Sequence, residues 1–199
     1  MGNKNDILGY AIENFTKFGS KRFSMDELAT NLGISKKTLY KHFNSKEKLV
    51  QDSFQFYLDN VRRDINEYML QNPNNEQPLI TIIYIYKRGL ISFQELNPSF
   101  LYGLSKYYPK AYQIYSKLKK DIIWDIVCPL LKKAQALQQV RKNVKVELVC
   151  SLFLARMEEI VYSKANLFNE YSLHELLDHI TINNLRGILT LEHLQKSPL

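Results

Sequence analysis

The sequence predicts an all-α protein: an N-terminal three-helix helix-turn-helix domain, then a larger helical domain, about nine helices in total. Three observations carry that prediction. Apolar residues recur mostly at helical spacing between a few Gly, Pro and Asn marks. Helix starts are signposted by capping boxes at Ser24-Met-Asp-Glu27, Asn44-Ser-Lys-Glu47 and Ser172-Leu-His-Glu175, where a side-chain oxygen and a carboxylate satisfy orphan amides reciprocally. With 7 Gly and 6 Pro in 199 residues, the chain is too poor in turn formers for a many-stranded all-β design.

Ile7, Leu8, Ala11, Ile12, Phe15 and Phe18 line one face of a first helix, and the stretch from Gly19 to Ser24 ends it. In the next helix Leu28 and Leu32 supply the buried face, and Ala29 is small where two helices cross closely. Gly33, four residues on, can take the positive φ of a tight turn. Ile34 tucks that turn into the core and Ser35 caps the third helix, whose buried face is Leu39 and Phe43. Further on, Ile80-Thr-Ile-Ile-Tyr-Ile-Tyr86 has the β-branched and aromatic content of a strand. A lone strand has nothing to pair with, and the apolar pattern runs on through Leu90, Ile91, Phe93 and Leu96, so a buried helix is predicted. Pro129 falls inside a periodic segment from about Lys110 to Gln139 and should kink or divide that helix. Leu148, Val149, Leu152, Phe153 and Ile160 mark a late helix, about Val144 to Leu167. Leu173, Leu176, Leu177, Ile180, Leu185 and Leu189 mark another, about Ser172 to Thr190.

Composition narrows the function classes. At 45% hydrophobic the chain can bury a core, which excludes a mainly disordered protein. The longest apolar run, Leu79 to Tyr86, is too short to span a bilayer, so no membrane association is expected. The opening residues show no hydrophobic leader, and Asp6 stands where a myristoylation site needs Ser or Thr. Cys128 and Cys150 sit in apolar surroundings and read as buried inert thiols, which fits a cytoplasmic location. His42, His174, His179 and His193 form no His-Glu-x-x-His pair; His174 and His179 are five apart, and Glu158-Glu159 reads as a solvated helix edge. There is no phosphate loop, no Gly-x-Ser-x-Gly and no acidic cluster at metal spacing. The expectation is no catalytic residue, no metal, no cofactor and no enzyme.

Charge has a location. Residues 1–50 hold 9 Lys or Arg against 5 Asp or Glu, whereas residues 51–199 hold 18 against 15. On the third helix the 100° step places Lys37, Thr38 and Lys41 furthest from Leu39 and Phe43, with Tyr40 and His42 on the flanks. That surface suits a major groove, since ammonium groups meet phosphates or guanine edges and hydroxyls donate to phosphates. Lys36 lies on the first turn, where recognition helices approach bases. At Asn44-Ser45-Lys46-Glu47 a new helix begins, and its amides with Lys46 could hold a phosphate. An ordinary solvated helical hairpin would present a charged face as well.

The stretch Thr38-Leu39-Tyr40-Lys41-His42-Phe43-Asn44-Ser45-Lys46-Glu47-Lys48-Leu49, with the Leu28-Ala29 to Gly33-Ile34-Ser35 turn and Phe15 to Gly19, resembles the TetR family of bacterial transcriptional regulators. The resemblance covers about residues 5 to 55. It implies that Ser24 contacts phosphate, that Lys36 and Lys37 face bases, and that Thr38, Tyr40, His42 and Lys46 clamp the backbone, with Ser35 and Lys41 in the same surface. Many members carry Gly where this chain has Lys37, which adds a charge at the groove.

Residues 1–50 are thus expected to read double-stranded DNA and 51–199 to bind an effector and dimerise. Between Tyr84 and Trp124 stand seven Tyr, two Phe and the only Trp, a density that reads equally as core or as a chamber with polar anchors. The candidates are Tyr84, Arg88, Phe93, Tyr102, Tyr108, Tyr112, Tyr115 and Trp124. The resemblance implies that such a chamber takes a small-molecule effector, and that the last two long helices pair with their copies in a homodimer. From pattern alone the same faces could close the monomer's own core. The expected function is a ligand-released repressor on a palindromic operator. The competing readings are a DNA-bound architectural or protein-interaction factor with no effector, and an enzyme using the aromatic chamber.

Overall fold

The computed structural model describes residues 3–72, 77–96, 98–162 and 167–196, without the side chains at 98, 99, 158 and 160–162. The expectations for Glu158 and Ile160, and for positions 163–166 of the late helix, lie outside these residues. The described residues form ten helices and no strand: α1 Lys4–Phe18, α2 Met25–Asn31, α3 Lys36–His42, α4 Lys46–Gln71, α5 Pro78–Leu96, α6 Pro98–Tyr107, α7 from Pro109–Asp121 through Ile122–Val127 to Cys128–Ala136, α8 Val146–Tyr162, α9 from Leu173–Leu177 through Asp178–Ile182 to Asn183–Arg186, and α10 Leu191–Lys196. They fall into two compact units, Met1–Arg62 with Glu95–Lys117, and Arg63–Gln94 with Leu118–Leu199.

In the first unit α1 buries Ile7, Leu8, Ala11, Ile12 and Phe15, while Phe18 at its end is 42% exposed. Gly19, at φ 85°, ends the helix, its amide donating to the Phe15 carbonyl. The Ser24–Glu27 capping box is formed in full. Gly33 turns the chain at φ 65°, and the Ile34 amide reaches the Ala29 carbonyl at 3.0 Å. Leu28, Leu39, Phe43, Leu49 and Phe54 are fully buried, each side chain stabilising the unit by about 1.5–3 kcal/mol. Phe54 packs edge-on against Phe100 and tilted against Tyr115. One expected cap is displaced: the Ser45 hydroxyl accepts the Lys48 amide, so Ser45 rather than Asn44 caps α4. Both residues carry a suitable oxygen, and the extended Phe43 backbone puts the helix start one residue later.

In the second unit the strand-like segment is helical, burying Leu79, Ile82, Ile85, Tyr86, Leu90 and Phe93 within α5. Pro129 does not divide α7. A π-helical turn, Ile122–Val127, precedes it and the Cys128 amide donates to the Ile123 carbonyl, five residues back, so the wider turn accommodates the ring and the missing donor. Cys128 and Cys150 are both buried, and the Cys150 thiol is pushed up to about 12 by burial and by the neighbouring Cys128. On α8, Phe153 is buried but Leu148 and Leu152 are 55% and 54% exposed. An isolated antiparallel bridge, Val140 to Leu189, ties the loop after α7 to the end of α9.

Candidate nucleic-acid interface

Helix α3 divides as its sequence predicts. Leu39 and Phe43 are buried, Lys36, Lys37, Tyr40, Lys41 and His42 are exposed, and Thr38 lies between. Ser35 organises the first turn: its hydroxyl accepts the Thr38 amide at 3.0 Å and shares a 2.8 Å hydrogen bond with the Thr38 hydroxyl. Lys36 is not a loose cation. Its ammonium meets the Asp26 carboxylate at 2.8 Å, and that hydrogen bond raises its pKa. Lys37 and Lys41 make no ion pair among the described residues, so the exposed charge of α3 rests on them.

Around this helix, Ser24 is exposed but engaged, its amide and hydroxyl both donating to Glu27 at 2.7 and 2.8 Å. These bonds hold the Glu27 carboxyl below its usual range. Lys46 is half-buried and donates to the Lys21 carbonyl at 3.4 Å; loss of hydration lowers its pKa, partly offset by Glu27. Sequence spacing brings Ser35 through His42 together and misses Asp26, whose link to Lys36 is a tertiary contact ten residues away that no local rule reports.

The expected effector residues divide between the two units. In the first, Tyr102 is 55% exposed, Tyr108 and Tyr112 are half-buried, and buried Tyr115 packs on Phe54. In the second, Tyr84 stacks face to face on Tyr68 at 3.8 Å, Phe93 is buried and Trp124 is 39% exposed. Arg88 donates to Asp64 and to Ser92, both at 2.8 Å. An open groove of about 410 Å³ is lined by Lys132, Gln135 and residues 144–148, none of them among the eight. Among the described residues no helix is long and apolar enough to cross a membrane, and no three His, Cys, Asp or Glu lie close enough to hold a metal.

Residues 7–52 match the family model of bacterial regulatory proteins of the tetR family. The HTH-type transcriptional regulator YvaF of Bacillus subtilis is 28% identical over 173 residues, 83% of this chain and 85% of that protein. The nucleoid occlusion factor SlmA of Photorhabdus laumondii is 35% identical over 80 residues, covering 40% of this chain and 38% of that one. The fold resembles the transcriptional regulator FadR from Bacillus subtilis, solved in complex with stearoyl-CoA, at a TM-score of 0.70 and 16% identity, over 94% of this chain and 100% of that one. The matched segment holds most of α1, then α2, its turn, α3 and the start of α4, so residues 7–52 carry a helix-turn-helix segment of the tetR-family type.

Proposed function

We propose that the chain is a homodimeric cytoplasmic repressor, not an enzyme, released from a palindromic operator by a small apolar or amphipathic ligand. Residues 1–50 read DNA; residues 51–199 bind the effector and dimerise. The observation that carries the reading is the outer face of α3, where Lys37 and Lys41 stand exposed beside Tyr40 and outside any described ion pair. Ser24, Thr38, Tyr40, His42 and Lys46 contact the backbone on this reading, Ser35 lies in the same surface, and Lys36 leaves Asp26 to meet a base. Leu148 and Leu152, one turn apart and more than half exposed on α8, support self-association through α8 and α9. Two α3 helices then enter successive major grooves roughly 34–36 Å apart. The effector acts by binding more tightly to a dimer geometry that misses this spacing.

Sedimentation of Leu148→Glu with Leu152→Glu tests the dimer: a monomer with weakened binding to a two-half-site duplex is expected, and an unchanged dimer counts against the interface. Because FadR was solved with stearoyl-CoA, that compound is a sensible first amphipathic probe, read as loss of duplex anisotropy. A second reading, a DNA-bound factor without an effector, draws on the packing of Tyr115 against Phe54 and Phe54 against Phe100, which uses aromatics as core. It predicts duplex binding that no amphipathic ligand changes.

A further inference from the structure

Away from α3, the remaining positive charge of residues 1–50 gathers in one place. Lys4 and Lys48 reach Asp52, and Lys36 reaches Asp26. Lys37 and Lys41 belong to α3, and Lys46 lies at the start of α4 near Glu27. The three that remain are Lys17, Lys21 and Arg22, at the end of α1 and in the turn after it, and Lys106 from α6 joins them. None of the four forms an ion pair among the described residues. Instead they sit on aromatic rings. Lys17 Nζ and the Arg22 guanidinium carbon are 5.3 and 5.8 Å from the Phe18 centroid, and Phe18 is braced edge-on by Phe23. Lys21 Nζ lies 3.3 Å over the Tyr107 ring and Lys106 Nζ 5.4 Å from it. The two ammonium groups beside it, Lys21 foremost, hold the Tyr107 hydroxyl below its usual range.

Ring faces attract cations without neutralising them, so the four charges stay available to a polyanion. The patch also continues into the DNA-reading surface. Lys46 donates to the Lys21 carbonyl, and Arg22 lies two residues before Ser24. That continuity favours the same duplex over an acidic protein. We infer that Lys17, Lys21, Arg22 and Lys106, presented on Phe18 and Tyr107, are a second contact surface for the DNA phosphate backbone, extending the footprint beyond the recognition helix. The inference rests on the reading of α3 as the DNA reader.

The test measures anisotropy of a labelled 40-base-pair mixed-sequence duplex between 50 and 200 mM salt, with melting curves to confirm folding. Changing all four residues to Gln should lower the log–log salt slope by about 0.9 per lost phosphate contact, so by roughly 3–4 per bound protomer. Lys106→Gln alone, outside the turn before α2, should lower it by about one. A slope unchanged in both variants overturns the inference and leaves an acidic protein as the partner of this patch. Lys37→Ala, run in parallel, keeps the two readings apart. If it weakens binding while the fourfold variant does not, only the patch assignment fails; the converse result removes α3 as the reader and keeps the patch.

Discussion

Two glycines in the first unit should respond to the same substitution with opposite sign. Gly33 sits at φ 65° with nothing within 4 Å of where a β-carbon would stand. Gly33→Ala therefore meets no clash, and its cost is backbone strain alone, about 1–2 kcal/mol for an L-residue in the left-handed region. Restricting the unfolded chain returns roughly 0.4–1 kcal/mol, leaving a net loss of about 1 kcal/mol. Gly9 lies inside α1, equally open around its missing β-carbon but with helical φ. There Gly9→Ala should stabilise by about 0.8–1 kcal/mol. The two variants should differ by about 2 kcal/mol. Near roughly 2–4 °C per kcal/mol for a chain of this size, thermal unfolding at one fixed protein concentration resolves that gap. Gly33→Asn should recover part of the loss, because Asn tolerates the left-handed region. Equal melting of Gly33→Ala and Gly9→Ala, or an Asn variant no better than Ala, would refute the argument that conformation alone holds the turn.

Other outcomes follow from single contacts. Phe54→Ala removes a fully buried ring that packs on Phe100 and Tyr115 and should cost about 3–5 kcal/mol by urea unfolding. Asp64→Asn takes the carboxylate from mostly buried Arg88 and should cost about 1–3 kcal/mol, whereas Lys132→Gln, which breaks an exposed pair with Glu147, should leave the melting temperature unchanged. The Glu27 carboxyl is held below its unfolded value by Ser24. Its contribution is therefore fully present above the ordinary carboxylate range and fades as pH falls through the lowered folded value. Melts from pH 6 down to pH 3 should show a shallower acid decline in Glu27→Gln than in wild type.

The helical architecture was legible because the signals were local and agreed. Capping at Ser24 and Ser172, positive φ at Gly33 and the Leu39–Phe43 face each depend on residues within one or two turns. The α5 segment shows where a local signal misleads: its β-branched content suits a strand, but burial on several sides serves a helix equally well. The Asn44–Ser45 ambiguity arose because either oxygen can cap, and only the backbone path selects one. What spacing cannot encode is partnership across the fold. Lys36 with Asp26, Arg88 with Asp64 and Lys21 over Tyr107 join residues 10, 24 and 86 positions apart, and each changes how a candidate site residue is used. The aromatic stretch stayed ambiguous for the same reason, since the pattern of Tyr84 to Trp124 is common to core rings such as Tyr115 and exposed ones such as Tyr102.

The central claim is that the outer face of α3 reads DNA, and fluorescence anisotropy on fragments from upstream of the chain's own gene tests it most directly. Wild type should bind one fragment selectively, with affinity falling steeply as salt rises. Lys37→Ala and Tyr40→Ala should each weaken that binding about tenfold or more while leaving the melting temperature in place. Sub-micromolar, sequence-selective binding that survives both substitutions would contradict the account.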